Sequence, residues 1–314
     1  MDNKDIHYLI QKIEKADLPE LKTLALENGG NKKMHEHYFE HVYFKNPSNS
    51  KSLWKVIVNK AIEGFATTNN FKFTLDGNNY LVAMPQNVLT SVKLRGKGLF
   101  NKLYSETERD NIENNKVDFF MTFTNKLSTP IFLNKFGYLK GKCPDLLIFI
   151  SNPFDLLSKR KYHRIASIDS IKFNTDFKFN NSFLKSAEFF LWRYKLYDIN
   201  NLHIISITEN EIIIGYAFFI VEKKKSIKFL ILSDIISFKQ ENLNLIIKQC
   251  KIYTTKNYFA FLMMFDLNIE RTKDILTFTF KDRFNFLVKG KISEESKMLS
   301  TKSFNLFFSD IDII

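Results

Sequence analysis

Cysteine, proline, glycine and tryptophan are all scarce here, with 2, 6, 10 and 2 residues respectively in 314. Cys143 and Cys250 lie too far apart in sequence for a metal-ligand spacing, and a pair of thiols makes no disulfide framework. Reduced cysteines in a cytoplasmic protein are the expected state. Long apolar runs are missing as well. The longest, Ile212 to Val221, is closed by Glu211 and Glu222; it falls well short of the roughly 20 residues that cross a bilayer and reads as a buried strand. The polar start, Met1-Asp2-Asn3-Lys4-Asp5, argues against a signal peptide.

Acidic residues are outnumbered, 34 against 46 basic ones, for a formal charge of +12. Such a balance favours an anionic partner: nucleic acid, a membrane surface or a phosphorylated ligand. No zinc finger or aromatic RNA-binding signature is present, so nucleic acid is not expected. The basic clusters Lys159-Arg160-Lys161 and Lys223-Lys224-Lys225 read as solvated linker or turn charge. The hydrophobic fraction, 45%, and the charged fraction, 25%, are those of a soluble globular protein, and the length admits two domains.

All six prolines precede residue 154, and eight of the ten glycines precede residue 142. The composition shift near Asn152-Pro153 suggests a first domain over 1–152, a basic linker over 153–175 and a second domain over 176–314. In the first, a strand over Ile6 to Ile13 leads to a helix opened by Asp17-Leu18-Pro19-Glu20 and ended by Gly29-Gly30. Strands fit Trp54 to Val58, Gly64 to Thr67, Phe71 to Leu75, Tyr80 to Met84 and Asn87 to Val92, with Asp76-Gly77 as a hairpin turn. A helix from Leu99 to about Asn111, a strand over Val117 to Phe123 and a short helix over Thr129 to Phe136 follow.

The second half repeats this order. A helix over Asn181 to Tyr194 precedes strands over Leu202 to Ile207, Glu211 to Val221 and Ile227 to Leu232. A helix over Gln240 to Thr254, a strand over Tyr258 to Met264, a weaker helical stretch and a strand over Phe284 to Val288 complete it. The expected class is α/β, as a mixed α+β sheet in two tandem copies.

Leu94-Arg95-Gly96-Lys97-Gly98-Leu99-Phe100 joins a strand to a helix in the first half. Glycines there let the backbone approach an anion, and the free N–H groups of the first helical turn point at it. Arg95 and Lys97 add positive charge. With the strand ending near Asn125 and the helix closing on Gly137-Tyr138, this segment resembles the GNAT superfamily of acyl-CoA N-acyltransferases. Arg95 and Gly98 match that family's loop and Gly96 is its frequent extra glycine, while Phe100 replaces a small residue.

The resemblance implies that Arg95, Gly96, Lys97, Gly98, Leu99 and Phe100 hold the pyrophosphate of acetyl-CoA or another acyl-CoA. It implies that backbone around Leu89, Thr90 and Ser91 holds the pantetheine arm and polarises the carbonyl, with Asn125 as a further contact. A turn role at the strand end is the alternative for Asn125. Many GNAT enzymes place a tyrosine acid where this chain has Leu133; Tyr138 or Tyr80 are the substitutes.

His35-Glu36-His37-Tyr38-Phe39-Glu40-His41 borders the acceptor site in that family. On a helix His37 and His41 share a face, as do Glu36 and Glu40, so His37, Glu40 or His41 is the candidate base. Zinc also suits histidines so spaced, but no third ligand is evident. A partly exposed helix whose histidines only hydrogen-bond is the plain alternative.

The second half has no glycine after its third strand, where Ser233-Asp234-Ile235-Ile236-Ser237 stands; its glycines are Gly215 and Gly290. It is expected to lack an acyl-CoA loop, to cover the first half and to shape the acceptor cleft. Nearly the whole chain is similar to tandem GNAT-like proteins of bacterial surface-polysaccharide synthesis, through Tyr43-Phe44-Lys45-Asn46-Pro47, Trp192-Arg193-Tyr194 and Asp310-Ile311-Asp312. That likeness implies a small-molecule acceptor, a nucleotide-linked amino sugar. Trp192, Tyr194 and Tyr197 fit either an aromatic wall or core. The rival functions are a CoA- or precursor-binding protein without transfer, and a FemAB-like transferase using aminoacyl-tRNA.

Overall fold

The computed structural model describes residues 7–29, 36–173, 178–195, 197, 200–267 and 276–310. Ile6, Gly30, His35, Ile311 and Asp312, each used in an expectation above, lie outside them, as does most of the stretch read as weakly helical after Met264.

The chain lays down β1 (Tyr8–Lys12), α1 (Leu18–Glu27), α2 (Glu36–Phe39), β2 (Lys51–Val58), β3 (Ala61–Leu75), β4 (Asn78–Thr90), α3 (Leu99–Glu113), β5 (Phe119–Thr124), α4 (Thr129–Phe136) and β6 (Leu139–Lys140). A π-helical segment, Glu40–Phe44, extends α2. Then come β7 (Leu146–Ile150), β8 (Tyr162–Ile165), β9 (Ser182–Phe183), α5 (Ala187–Tyr194), β10 (Leu202–Glu209), β11 (Ile212–Lys224), β12 (Ile227–Ser237), α6 (Leu243–Lys256), β13 (Phe261–Phe265) and β14 (Thr277–Phe280). The chain closes with β15 (Asn285–Gly290) and α7 (Ser293–Thr301).

The first unit holds the described part of Met1–Phe73, with Asn78–Gly141 and Asn285–Lys302. Its sheet runs β1-β2-β3-β4-β5-β15-β6. Tight hairpins build the meander: Asn59 and Lys60 turn at φ 50° and 67°, Asp76 and Gly77 at 48° and 82°, the backbone twist that two-residue turns require. On one face α3 and α4 bury Leu99, Leu103, Tyr104, Phe132 and Phe136 against Val56, Ala66 and Ala83. On the other, α1, α2 and the π-helical segment bury Leu21, Leu24, Phe39 and Val42 against Leu53 and Phe65.

The two strands expected over Tyr80 to Met84 and Asn87 to Val92 are one, β4, running through Pro85. Proline cannot donate to a ladder, and the pairs between β4 and β5 end before it, at Ala83. β4 and β5 pair in parallel at Val82↔Phe119 and Ala83↔Phe120. The Thr122 hydroxyl donates to the Pro85 carbonyl at 2.9 Å, and beyond it the strands part into a fork.

The second unit has the sheet β14-β7-β13-β12-β11-β10-β8, with α6 burying Ile246, Ile247, Cys250 and Tyr253 on Ile205, Ile207, Ala217 and Phe219. β12 and β13 repeat the parallel pairing, at Leu230↔Leu262 and Ile231↔Met263. β12 continues to Ser237, so Ser233 to Ser237 belongs to the strand. Past the pairing, the segment around Phe307–Asp310 bridges both strands. Ser309 Oγ donates to Asp234 at 2.5 Å, and the Phe308 ring stacks on Phe265 at 4.6 Å. Lys185 Nζ donates to Asp234 at 2.9 Å and forms an ion pair with Asp310 at 2.7 Å. Trp192 and Tyr194 are core, 8% and 2% exposed.

The domain boundaries differ from the expected 1–152, 153–175 and 176–314. β7 lies before residue 152 yet pairs with β13, and β8, inside the expected linker, pairs with β10. β15, from the second half, pairs with β5 and β6. An inner strand such as β5 or β13 needs a partner on each side, and each takes one from the other half of the chain.

Candidate functional site

The fork of the first sheet opens into a cleft of about 710 Å³, within the usual range for small-molecule sites. Gln86 to Thr90 of β4 line it, with Asn125 beyond β5, Ile131 and Lys135 of α4, and the turn into α3. That turn carries Gly96 at φ +79° and Gly98 at φ +75°, the left-handed region that disfavours any side chain. A Cβ at either position would meet nothing within 4 Å, so the glycines answer to backbone conformation and leave open space over the turn. Gly98 is the N-cap of α3, without a side-chain cap. The first bond of that helix is Lys102 N–H to Gly98 O, 3.3 Å; the N–H groups before it have no intrahelical acceptor. The approach is fixed by Ser91 N–H to Glu63 O, 2.8 Å, and Val92 N–H to Asn28 Oδ1, 2.7 Å.

Of the residues expected at a cofactor, Leu89, Thr90, Arg95, Gly96, Gly98, Leu99, Phe100 and Asn125 line the cleft; Ser91 and Lys97 do not. Ser91 is 4% exposed. Phe100, the departure from the small residue, has its ring 6.1–6.3 Å from Tyr104, Phe132 and Phe136 and packs α3 onto α4. Asn125 Oδ1 accepts the Leu127 and Ser128 N–H groups, both at 2.9 Å, which realises the turn role and leaves its amide nitrogen without a bond among the described residues. The ionisable lining is Arg95 and Lys135, both cations.

None of the proton-transfer candidates Glu40, His41, His37 and Tyr138 lines the cleft. Glu40 lies 3.1 Å from Lys45 and 3.8 Å from Lys15, and the Lys45 hydrogen bond holds its carboxyl below the usual range, a weak base. His41 is 4% exposed, and its ring lies 6.3 Å from that of His37. Tyr138, offered as the acid, is 1% exposed with its hydroxyl 2.6 Å from that of Tyr104. Burial pushes this phenol well above its ordinary value, so its place is the core.

Residues that the motif did not reveal form the inner end of the cleft. Gln86 accepts from Asn69 Nδ2 at 3.0 Å, and that nitrogen also donates to Val42 O at 3.2 Å. Asn87 Nδ2 donates to the Tyr43 hydroxyl at 2.5 Å, and Tyr43 lies 2.8 Å from Thr67 Oγ1. The available signal was Pro85: a strand that carries a mid-strand proline marks where pairing stops, and the polar side chains just past it face open space.

No protein-family model and no curated protein matches the chain. Solved structures do. A GCN5-related N-acetyltransferase from Anabaena variabilis superposes with a TM-score of 0.68 at 9% identity, over 90% of this chain and 72% of that one. A second, from Kribbella flavida, gives 0.64 at 10% identity over 96% and 75%. The Saccharomyces cerevisiae N-myristoyltransferase with bound myristoyl-CoA gives 0.54 at 10% identity over 91% and 85%. The chain has the fold of the GCN5-related N-acetyltransferases. Within this GNAT fold the glycine turn follows β4 of the first unit. The corresponding turn of the second, between β12 and α6, holds no glycine. Among the described residues no helix is long and apolar enough to cross a membrane.

Proposed function

We propose that the chain is an acyltransferase that takes an acyl group from acyl-CoA, bound by the first unit, and delivers it to an amine or hydroxyl acceptor. One observation carries the reading: a fork between parallel strands opens onto a two-glycine turn in which the N–H groups of Gly96, Gly98 and the first turn of α3 have no backbone acceptor among the described residues. The acyl-CoA would supply an activated thioester. Gly98 and the first turn of α3 would bind its diphosphate through N–H groups and the helix dipole, with Arg95 and Lys135 adding charge. The strand end Leu89 and Thr90 and the Asn125 amide nitrogen would hold the pantetheine arm. Packing of α3 on α4 through Phe100 fixes one wall.

The acceptor class we favour is the nucleotide-linked amino sugar implied by the resemblance. Transfer to such a sugar in surface-polysaccharide synthesis is the finer form of the proposal. His37 and His41, on the helical segment that leads to Tyr43, are our candidates to take the acceptor's proton. The test is calorimetric titration with acetyl-CoA, followed by a thiol-release screen of acyl-CoAs against amino sugars and their nucleotide conjugates. No heat with any acyl-CoA ends the proposal. Binding without thiol release across the panel favours a binding protein, and co-purified tRNA in place of CoA binding favours the FemAB-like alternative.

A further inference from the structure

We propose that the side-chain amide of Gln86 polarises the thioester carbonyl, and that Asn69 is the positioning residue that decides which end of that amide faces the cleft. This rests on the acyl-CoA reading above.

Hydrogen-bond chemistry fixes the orientation. A backbone carbonyl only accepts, so the Asn69 atom 3.2 Å from Val42 O is its nitrogen. The same nitrogen donates to Gln86 at 3.0 Å, so Gln86 presents its oxygen to Asn69. The Gln86 Nε2, with two N–H groups, is the end left over, and among the described residues it has no acceptor. Asn69 is fully buried and its Oδ1 has no partner, a costly state. Its orientation is thus the one that Val42 and Gln86 impose, not the one that best satisfies Asn69 itself.

The position also fits. Gln86 follows Pro85, whose carbonyl takes the Thr122 hydroxyl at the closed end of the fork. From Thr90 back to Gln86, β4 covers about 13 Å at ~3.3 Å per residue. An arm anchored at the glycine turn and laid along β4 brings its thioester to this end. Attack by the acceptor nitrogen forms the C–N bond and moves an electron pair onto the carbonyl oxygen. Collapse returns that pair and expels the CoA thiolate, and the amine proton passes to base. Donors already aimed at the developing oxyanion give the largest single gain in such steps.

The experiment uses the full chain and acetyl-CoA labelled with 13C at the carbonyl, read by difference infrared spectroscopy, so no acceptor is required. Bound to the wild type, the carbonyl stretch should fall below its free value. In Gln86→Leu it should return toward that value, with affinity for free CoA within about twofold and slow hydrolytic thiol release down about tenfold or more. Asn69→Asp replaces the donor by an acceptor, turns the Gln86 amide around and should also lose the shift. An unshifted carbonyl in the wild type, or an equal shift in Gln86→Leu, overturns the proposal while acyl-CoA binding stands. Absence of acetyl-CoA binding overturns both readings. Should Gln86→Leu fail to fold, Gln86→Met, close to glutamine in size and without the amide donor, takes its place with the same expected loss of shift.

Discussion

Replacing Gly98 by aspartate separates folding from binding more cleanly than any other change in the first unit. The residue sits at φ +75°, and a Cβ there meets nothing within 4 Å. The cost to the fold is therefore conformational alone, about 1 kcal/mol for a short polar residue in the left-handed region. A carboxylate at the N-terminus of α3 recovers about 0.3–1 kcal/mol against the helix dipole. Net stability should stay within about 1 kcal/mol of wild type, a shift of a few degrees in Tm at most for a chain of this size. Binding should respond very differently, because the new carboxylate stands where a diphosphate must sit. Two like unit charges about 4 Å apart at an effective dielectric near 20 repel by about 4 kcal/mol, close to a 10³-fold loss. Exposure of the turn to solvent and salt reduces this, so a loss of about 100-fold at 0.15 M salt is the firm expectation. Calorimetric titration with acetyl-CoA measures it, with Gly98→Ala as the uncharged control and a thermal melt of each variant. Equal affinity in wild type and Gly98→Asp, with unchanged Tm, would refute the phosphate-cradle argument.

Three further outcomes are expected. Tyr104→Phe or Tyr138→Phe strands one buried hydroxyl of the pair bonded at 2.6 Å and should cost about 1–3 kcal/mol in urea unfolding, whereas the double change is nearly neutral; equal costs for single and double variants contradict the pairing. Lys185→Met removes the cation between Asp234 and Asp310 and should destabilise the chain by about 3 kcal/mol in denaturant melts; a change under about 0.5 kcal/mol would show the network to be idle. His203, with its Nδ1 2.8 Å from the Tyr253 hydroxyl, is held down to about 4 by burial and by the charge of Arg164. The native state resists its protonation, so stability from this group is complete above about pH 6.5 and is lost as pH falls toward 4. His203→Gln should flatten that part of a pH series of denaturant midpoints, and an unchanged slope would assign it elsewhere.

The glycine turn was legible because its chemistry is local. Positive φ at Gly96 and Gly98 follows from residue type, and the Leu99 helix follows from apolar spacing that buries Leu99, Leu103 and Tyr104. Although the expected strands Gly64 to Thr67 and Phe71 to Leu75 are one, β3, the hairpins were legible for the same reason, since turns such as Asp76-Gly77 tie neighbours together. Partners brought from far along the chain were not. Nothing in Asn285 to Gly290 records that it lies against Phe119 to Thr124, because an inner strand reads alike in either sheet. Tyr138, which the resemblance offered as a substitute acid because Leu133 stands in the family's tyrosine position, has its hydroxyl paired with that of Tyr104, a partner 34 positions away that no local pattern records. Gln86 and Asn69 escaped notice because each is polar in a strand, and their meaning lies in a bond across 17 positions.

The two forks show how one fold keeps or loses a site. In each sheet a parallel pair of strands holds together for a short stretch and then parts; parting exposes backbone and side-chain polar groups that must find partners. The first fork leaves Gln86 Nε2 and the N–H groups of Gly96, Gly98 and the first turn of α3 without a partner among the described residues. The second is largely filled by its own chain. Ser309 and Lys185 saturate Asp234, Phe308 stacks on Phe265, and Asp310 accepts the Phe307 N–H at 2.7 Å. Among the described residues the segment around Phe307–Asp310 occupies this fork, and the turn between β12 and α6 has no glycine to hold backbone open over it as Gly96 and Gly98 do in the first unit. Acyl-CoA titration should accordingly reach one equivalent per chain. Two equivalents would mean that the segment around Phe307–Asp310 yields to a ligand, and the distinction drawn between the forks would fail.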